Sequence, residues 1–197
     1  MGSDVHSKSF SRYIIKLFIN RFWSETIVKS SDMRSILGLR KPHVIPNGVD
    51  LEIFCRIERS VARERLGWDQ NKTYLLFAAN PLRAVKNFKL FNDAFNLIND
   101  ESIEFHTLVD IEHEQIPYYM NASNVICLSS KWEGSPNVIK EAMACEIPIV
   151  TTSVGDVNWL LGQMAGHFIT EPNPVDYASA IHKALTFSRT NAREKLI

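Results

Sequence analysis

The chain has 197 residues, 45% of them hydrophobic and 22% charged, with 22 basic and 22 acidic side chains. That length holds one domain with a sizeable core, or one domain plus part of another. The zero net charge leaves no global field to draw nucleic acid, and no apolar run is long enough to span a membrane. Cys55, Cys127 and Cys145 are widely spaced and show no metal-ligand spacing, which reads as reduced thiols in a cytosolic core.

Residues 8–23 have helical spacing, with Phe10, Ile14, Leu17 and Phe18 on one face and Arg12, Lys16 and Arg21 mostly elsewhere. Such a basic amphipathic helix lies on a membrane or packs on a domain. Residues 26–30 read as a short strand. Ser31 or Asp32 caps a helix that Gly38 ends. Residues 43–50 are an extended run into an Asn47-Gly48 turn. A helix over 60–66 stops at Gly67. Residues 73–79 form a continuous apolar run, as a strand buried on both faces requires. A loop over 80–87 carries Arg83 and Lys86, and an amphipathic helix follows over 88–98. Further strands are expected at 103–109, 125–128, 148–152 and 166–170. Helices are expected at 115–122, from Pro136 onward, at 156–161 and at 174–187. Strands alternate with helices from residue 73, so the predicted fold is α/β, a Rossmann-like doubly wound parallel sheet.

In such sheets ligands bind beyond the carboxyl ends of the strands. The most informative stretch there is Glu133-Gly134-Ser135-Pro136-Asn137-Val138-Ile139-Lys140-Glu141, between two apolar runs. Ser135 is a natural N-cap with Pro136 at the first helical position. The N–H groups of Asn137 and Val138 would then lack partners inside the helix and favour an anion. Glu141 falls about two turns down, on the order of 9 Å from the cap. Two acids so placed suit the two ends of one extended ligand. Ile139, Ala142 and Met143 form the expected core face, with Glu141 opposite. His113 and His167 stand alone and read as structural or exposed.

The Glu133–Glu141 pair resembles the E-x7-E signature of family 4 (group 1) retaining glycosyltransferases, two-domain enzymes of the GT-B fold. Val44-Ile-Pro-Asn-Gly-Val-Asp-Leu-Glu-Ile-Phe54 resembles that family's segment entering the C-terminal domain, and Thr151-Thr-Ser-Val-Gly-Asp156 the loop after the next strand. The resemblance implies the C-terminal half of a GT-B fold at residues 41–197, lacking the final crossover helix, with residues 1–40 a remnant of the N-terminal domain and interdomain segment. It implies a hexosyltransferase that takes a UDP- or GDP-linked sugar to a saccharide or lipid-linked acceptor, with retention. No metal and no resident cofactor are expected.

The resemblance puts Glu133 at the sugar and Lys86 and Arg83 at the diphosphate. It puts Gly134, Ser135, Pro136, Asn137 and Val138 along the donor, and Glu141 at the ribose. The family arginine stands five residues before that lysine, where this chain has Pro81; Arg83 is the arginine the same loop offers. The family commonly has Gly at the position of Glu146. The acceptor would bind through the N-terminal domain, and the fragment alone is expected to be inactive. Self-association through residues 10–23, a cytoplasmic location and peripheral association at the inner face of the membrane are further expectations. The competing readings are a non-catalytic nucleotide-sugar-binding module, a subunit of a split enzyme, and a GT-B epimerase or phosphorylase.

Overall fold

The computed structural model describes residues 9–38 and 42–197, without the side chains of residues 9–12, 20 and 32. The elements in chain order are α1 (Ser9–Phe22), β1 (Ile27–Val28), α2 (Ser31–Leu37), β2 (His43–Val44), α3 (Arg59–Leu66), β3 (Thr73–Phe77), α4 (Phe88–Ile98), β4 (Ile103–Thr107), α5 (Ile116–Ala122), β5 (Val125–Leu128), α6 (Asn137–Ala144), β6 (Ile149–Thr152), α7 (Val157–Leu161), β7 (His167–Thr170) and α8 (Pro174–Ala184). Among the described residues the strands form two sheets. One pairs β1 with β2, and the other is five-stranded in the order β4-β3-β5-β6-β7, parallel throughout.

The strands are continuously apolar because both faces of the large sheet are covered. Leu76, Ile126, Leu128 and Ile149 point to one side, where they meet Ile139, Ala142 and Met143 of α6 and Met120 of α5. Leu75, Phe77, Cys127 and Val150 point to the other, against Phe91 and Ala94 of α4 and Tyr177 and Ile181 of α8. The Tyr177 hydroxyl donates to the Val150 carbonyl at 2.9 Å, which satisfies the polar end of a fully buried ring. The three cysteines are free thiols.

Residues 49–54 join the two parts. The Asp50 carboxylate accepts from the N–H groups of Glu52 and Ile53, an Asx turn that drops Phe54 into the core at 2% exposure. At the other end Arg189 donates to the Cys145 and Ile57 carbonyls, and Arg193 donates to those of Ala144, Phe54 and Leu51. Two guanidinium groups thus satisfy the carbonyl end of α6, where cations are favoured. Neither arginine, nor the 3₁₀ turn Ala192–Leu196 that carries Arg193, is anticipated by the sequence pattern.

Three expectations need correction. The cap of α2 is Ser30, not Ser31 or Asp32: its Oγ accepts from the Met33 N–H at 3.2 Å, and Ser31 is already the first helical residue. On α1 the packed residues are Ile15 and Ile19, which join Val28, Met33 and Leu37 in a small separate core. Ile14, Leu17 and Phe18 are exposed instead, as are Tyr13, Phe22 and Trp23; Phe10 lies outside the described side chains. The spacing of four that selects Ile15 and Ile19 is as helical as the expected one, and contact with β1 and α2 chooses between them. The helix after β5 begins at Asn137 with Pro136 in the N-cap position, and no side chain caps it. Ser135 is engaged elsewhere.

Candidate functional site

The strand order reverses between β3 and β5, since the chain goes from β3 outward to β4 and then returns to β5 on the other side. The loops leaving β3 and β5 therefore diverge and open a crevice. After β3, Asn80 accepts from the Leu82 N–H through its side chain, and the 3₁₀ turn Ala84–Lys86 presents Lys86. Asn87 ends that turn in the left-handed region, φ 51°, which asparagine tolerates. The loop after β5 is clamped to it. Ser129 Oγ donates to the Lys86 and Asn87 carbonyls at 3.1 and 3.0 Å, and the Lys131 N–H donates to the Val85 carbonyl.

This clamp brings two sequence-predicted residues into contact. Lys86 Nζ lies 2.6 Å from Glu133 Oε1, and the Ser130 hydroxyl donates to the same oxygen at 2.8 Å. Next along the loop, Gly134 packs against Gly155 of the loop after β6. Gly155 has φ +56°, and a Cβ there would stand 2.4 Å from the Gly134 carbonyl oxygen. Backbone meets backbone, which only glycine permits.

The nine predicted site residues all line one cleft of about 500 Å³: Arg83, Lys86, Glu133, Gly134, Ser135, Pro136, Asn137, Val138 and Glu141. The N–H groups of Asn137 and Val138 sit in the first turn of α6, with no acceptor inside the helix. Arg83 is exposed at the rim. Glu141 is half-buried, not solvated on an outer face. Burial raises its carboxyl above the ordinary value, while His113 and Lys140 pull it back down. His113 is itself exposed and rests edge-on against Phe54. His167 is buried.

Four further residues belong to the site that the motif alone does not reveal. Lys29, after β1, and Asn47 line the same cleft; the Asn47 side chain donates to the Asn137 side-chain oxygen at 2.9 Å. Lys140 is buried, and its ammonium donates to the Asn47 carbonyl and to Ser135 Oγ. Asp156 occupies the N-cap position of α7 without capping it; its carboxylate accepts from the Ser135 hydroxyl at 2.7 Å. Burial lowers the Lys140 pKa, and Asp156 opposes that shift. The sequence signal for Lys140 is its place three residues before Met143, at the edge of the buried face of α6.

The fold and cleft define a Rossmann-like domain with an anion-receptive site at its topological switch point. A family model described as Glycosyl transferases group 1 matches residues 86–186, half of the chain. The chain belongs to that family, and its fold is the C-terminal domain of a GT-B fold. It is 28% identical over 192 residues to the UDP-Gal:alpha-D-GlcNAc-diphosphoundecaprenol alpha-1,3-galactosyltransferase of Escherichia coli, covering 80% of this chain and 50% of that protein. Among solved structures it superposes on sucrose-phosphate synthase from Thermosynechococcus elongatus with TM-score 0.84 at 20% identity, covering 98% of this chain and 58% of the other. It superposes on Anabaena HepE in complex with UDP with TM-score 0.81 at 21% identity, covering 99% and 66%. The chain spans about half the length of the curated relatives it matches. Among the described residues no helix is long and apolar enough to cross a membrane.

Proposed function

We propose that this chain is the donor-binding part of a glycosyltransferase that moves a hexose from a nucleoside-diphosphate sugar to a saccharide or lipid-linked acceptor, with retention. The observation that carries the reading is the cleft itself. Lys86, Glu133, Glu141 and the first turn of α6 line it together, with Lys86 and Glu133 in contact.

Breaking the bond from sugar to diphosphate builds negative charge on the leaving group. Cations and free N–H groups aimed there lower the barrier. In this reading Lys86, Arg83 and the first turn of α6 supply that charge, without a metal or resident cofactor. Glu133 accepts from sugar hydroxyls once the diphosphate takes over its lysine. Glu141, poorly solvated, accepts from the ribose hydroxyls. No nucleophile is assigned, so the substitution is read as front-face, with the departing diphosphate assisting the incoming hydroxyl. A UDP donor is favoured by the UDP complex of the Anabaena relative and by the UDP-Gal in the name of the Escherichia coli one. The latter's diphosphoundecaprenol acceptor supports a lipid-linked acceptor.

Calorimetric titration of the chain with UDP-, GDP- and ADP-glucose tests this. Binding of one of them, weakened about tenfold or more by Glu141→Ala, is the expected result. Failure of all three to bind would remove the donor assignment.

A further inference from the structure

We propose that Lys140 is a positioning residue of this cleft, whose buried ammonium ties the three segments that shape it; the proposal rests on reading the cleft as a donor site. Lysine is seldom buried without partners, and Lys140 is only 3% exposed. An ammonium is a pure donor. One of its N–H groups goes to the Asn47 carbonyl at 2.8 Å, and another goes to Ser135 Oγ. The polarity of the chain is then forced. Ser135 accepts from Lys140, so its own proton goes to the Asp156 carboxylate, 2.7 Å away. The charge is answered at the far end of a serine relay.

The three attachment points come from three different segments. Asn47 lies in the turn after β2 and is bonded a second time to α6 through Asn137. Ser135 follows Gly134 in the loop after β5. Asp156 follows Gly155, whose backbone presses on the Gly134 carbonyl. Lys140 does not itself line the cleft, whereas its partners Asn47 and Ser135 do; it therefore stands behind the loop that carries Glu133 and holds it against its two neighbours. A lysine that merely filled space would be replaced by methionine without consequence, since the two have similar length and volume.

The experiment follows from that contrast. Lys140→Met, Ser135→Ala and Ser135→Thr are compared with the parent chain by hydrogen–deuterium exchange without ligand and by calorimetry with UDP. Lys140→Met and Ser135→Ala should speed exchange about tenfold in residues 133–137 and 153–157, leave α8 unchanged, and weaken UDP about tenfold. Ser135→Thr keeps the hydroxyl and should restore both. Exchange equal to the parent's in Lys140→Met, or faster exchange spread evenly over the domain, overturns the proposal whatever happens to UDP. If the parent chain binds no nucleotide, the donor reading falls, and the exchange comparison still decides whether Lys140 holds the three segments.

Discussion

Lys86 Nζ and Glu133 Oε1 are 2.6 Å apart, with the two side chains only 14% and 17% exposed. Each answers a charge that would otherwise be poorly solvated, and removing one partner leaves the other stranded. A donor that engages both must break or share this contact.

Lys86→Met should destabilise the fold by about 2 kcal/mol, and Lys86→Met with Glu133→Gln by less, because the double change strands no ion. The same pair separates the two ends of the ligand. Lys86→Met should weaken both UDP and UDP-glucose by about tenfold or more, while Glu133→Gln should weaken UDP-glucose and spare UDP. Urea titration and calorimetry read the two effects. Equal sensitivity of UDP to both variants would contradict the assignment of Glu133 to the sugar.

Gly155→Ala should cost more than Gly67→Ala. Both glycines have positive φ, but a Cβ at Gly67 meets nothing within 4 Å, whereas at Gly155 it meets backbone at 2.4 Å. Gly67→Ala isolates the left-handed penalty, about 1 kcal/mol. Gly155→Ala adds displacement of the Glu133–Gly134 loop, for a total of roughly 3 kcal/mol or a local rearrangement. The shift in urea midpoint measures the difference, and equal costs would show that the two loops give way freely.

The His167 ring is buried, and burial alone pushes its pKa down from 6.5 to about 4. The folded state therefore keeps the ring neutral, and stability is fully present above pH 6.5. It is lost as pH falls from 6.5 toward 4, by about 3 kcal/mol in all. His167→Phe should flatten this part of the profile. Parallel curves for the two proteins between pH 7 and 4 would refute the assignment.

Glu146 has φ 61°. Its N–H donates to the Met143 carbonyl and that of Ile147 to the Ala142 carbonyl, the pattern that closes a helix through a left-handed residue. Glu146→Gly should raise stability by about 1 kcal/mol, or Tm by about 3 °C. The carboxylate it removes has an Arg56 partner at 3.7 Å, and Arg56 is half exposed, so that loss is small. A lowered Tm would mean that the ion pair outweighs the backbone strain.

Much of the fold is legible in the chain. The apolar runs at 73–77 and 125–128 are strands buried on both faces, and such strands need helices above and below. Those helices supply Phe91 and Met143 at the expected spacing. The cleft is legible because E-x7-E names residues on a single loop and helix, whose relative position follows from helix geometry. Where local signals compete, the reading fails. Ser135 has the chemistry of an N-cap, yet its hydroxyl is taken by Asp156 and Lys140. Ile14, Leu17 and Phe18 have the spacing of a packed face, yet Ile15 and Ile19 are the ones covered.

The amino-acid order by itself determines what is local: the alternation of strand and helix, the turn at Asn47, and the placing of Glu133 and Glu141 around one helix start. Tertiary structure decides what depends on groups far apart in the chain. It sets Lys86 against Glu133 across 47 positions, Ser135 against Asp156 across 21, and the Lys140 ammonium against a carbonyl 93 positions away. Hydrogen bonds and ion pairs of this kind form wherever the sheet order brings loop ends together. Helical and strand periodicity carry no record of that order, so the cleft is foreseen as a row of residues and becomes a site only when β3 and β5 lie side by side.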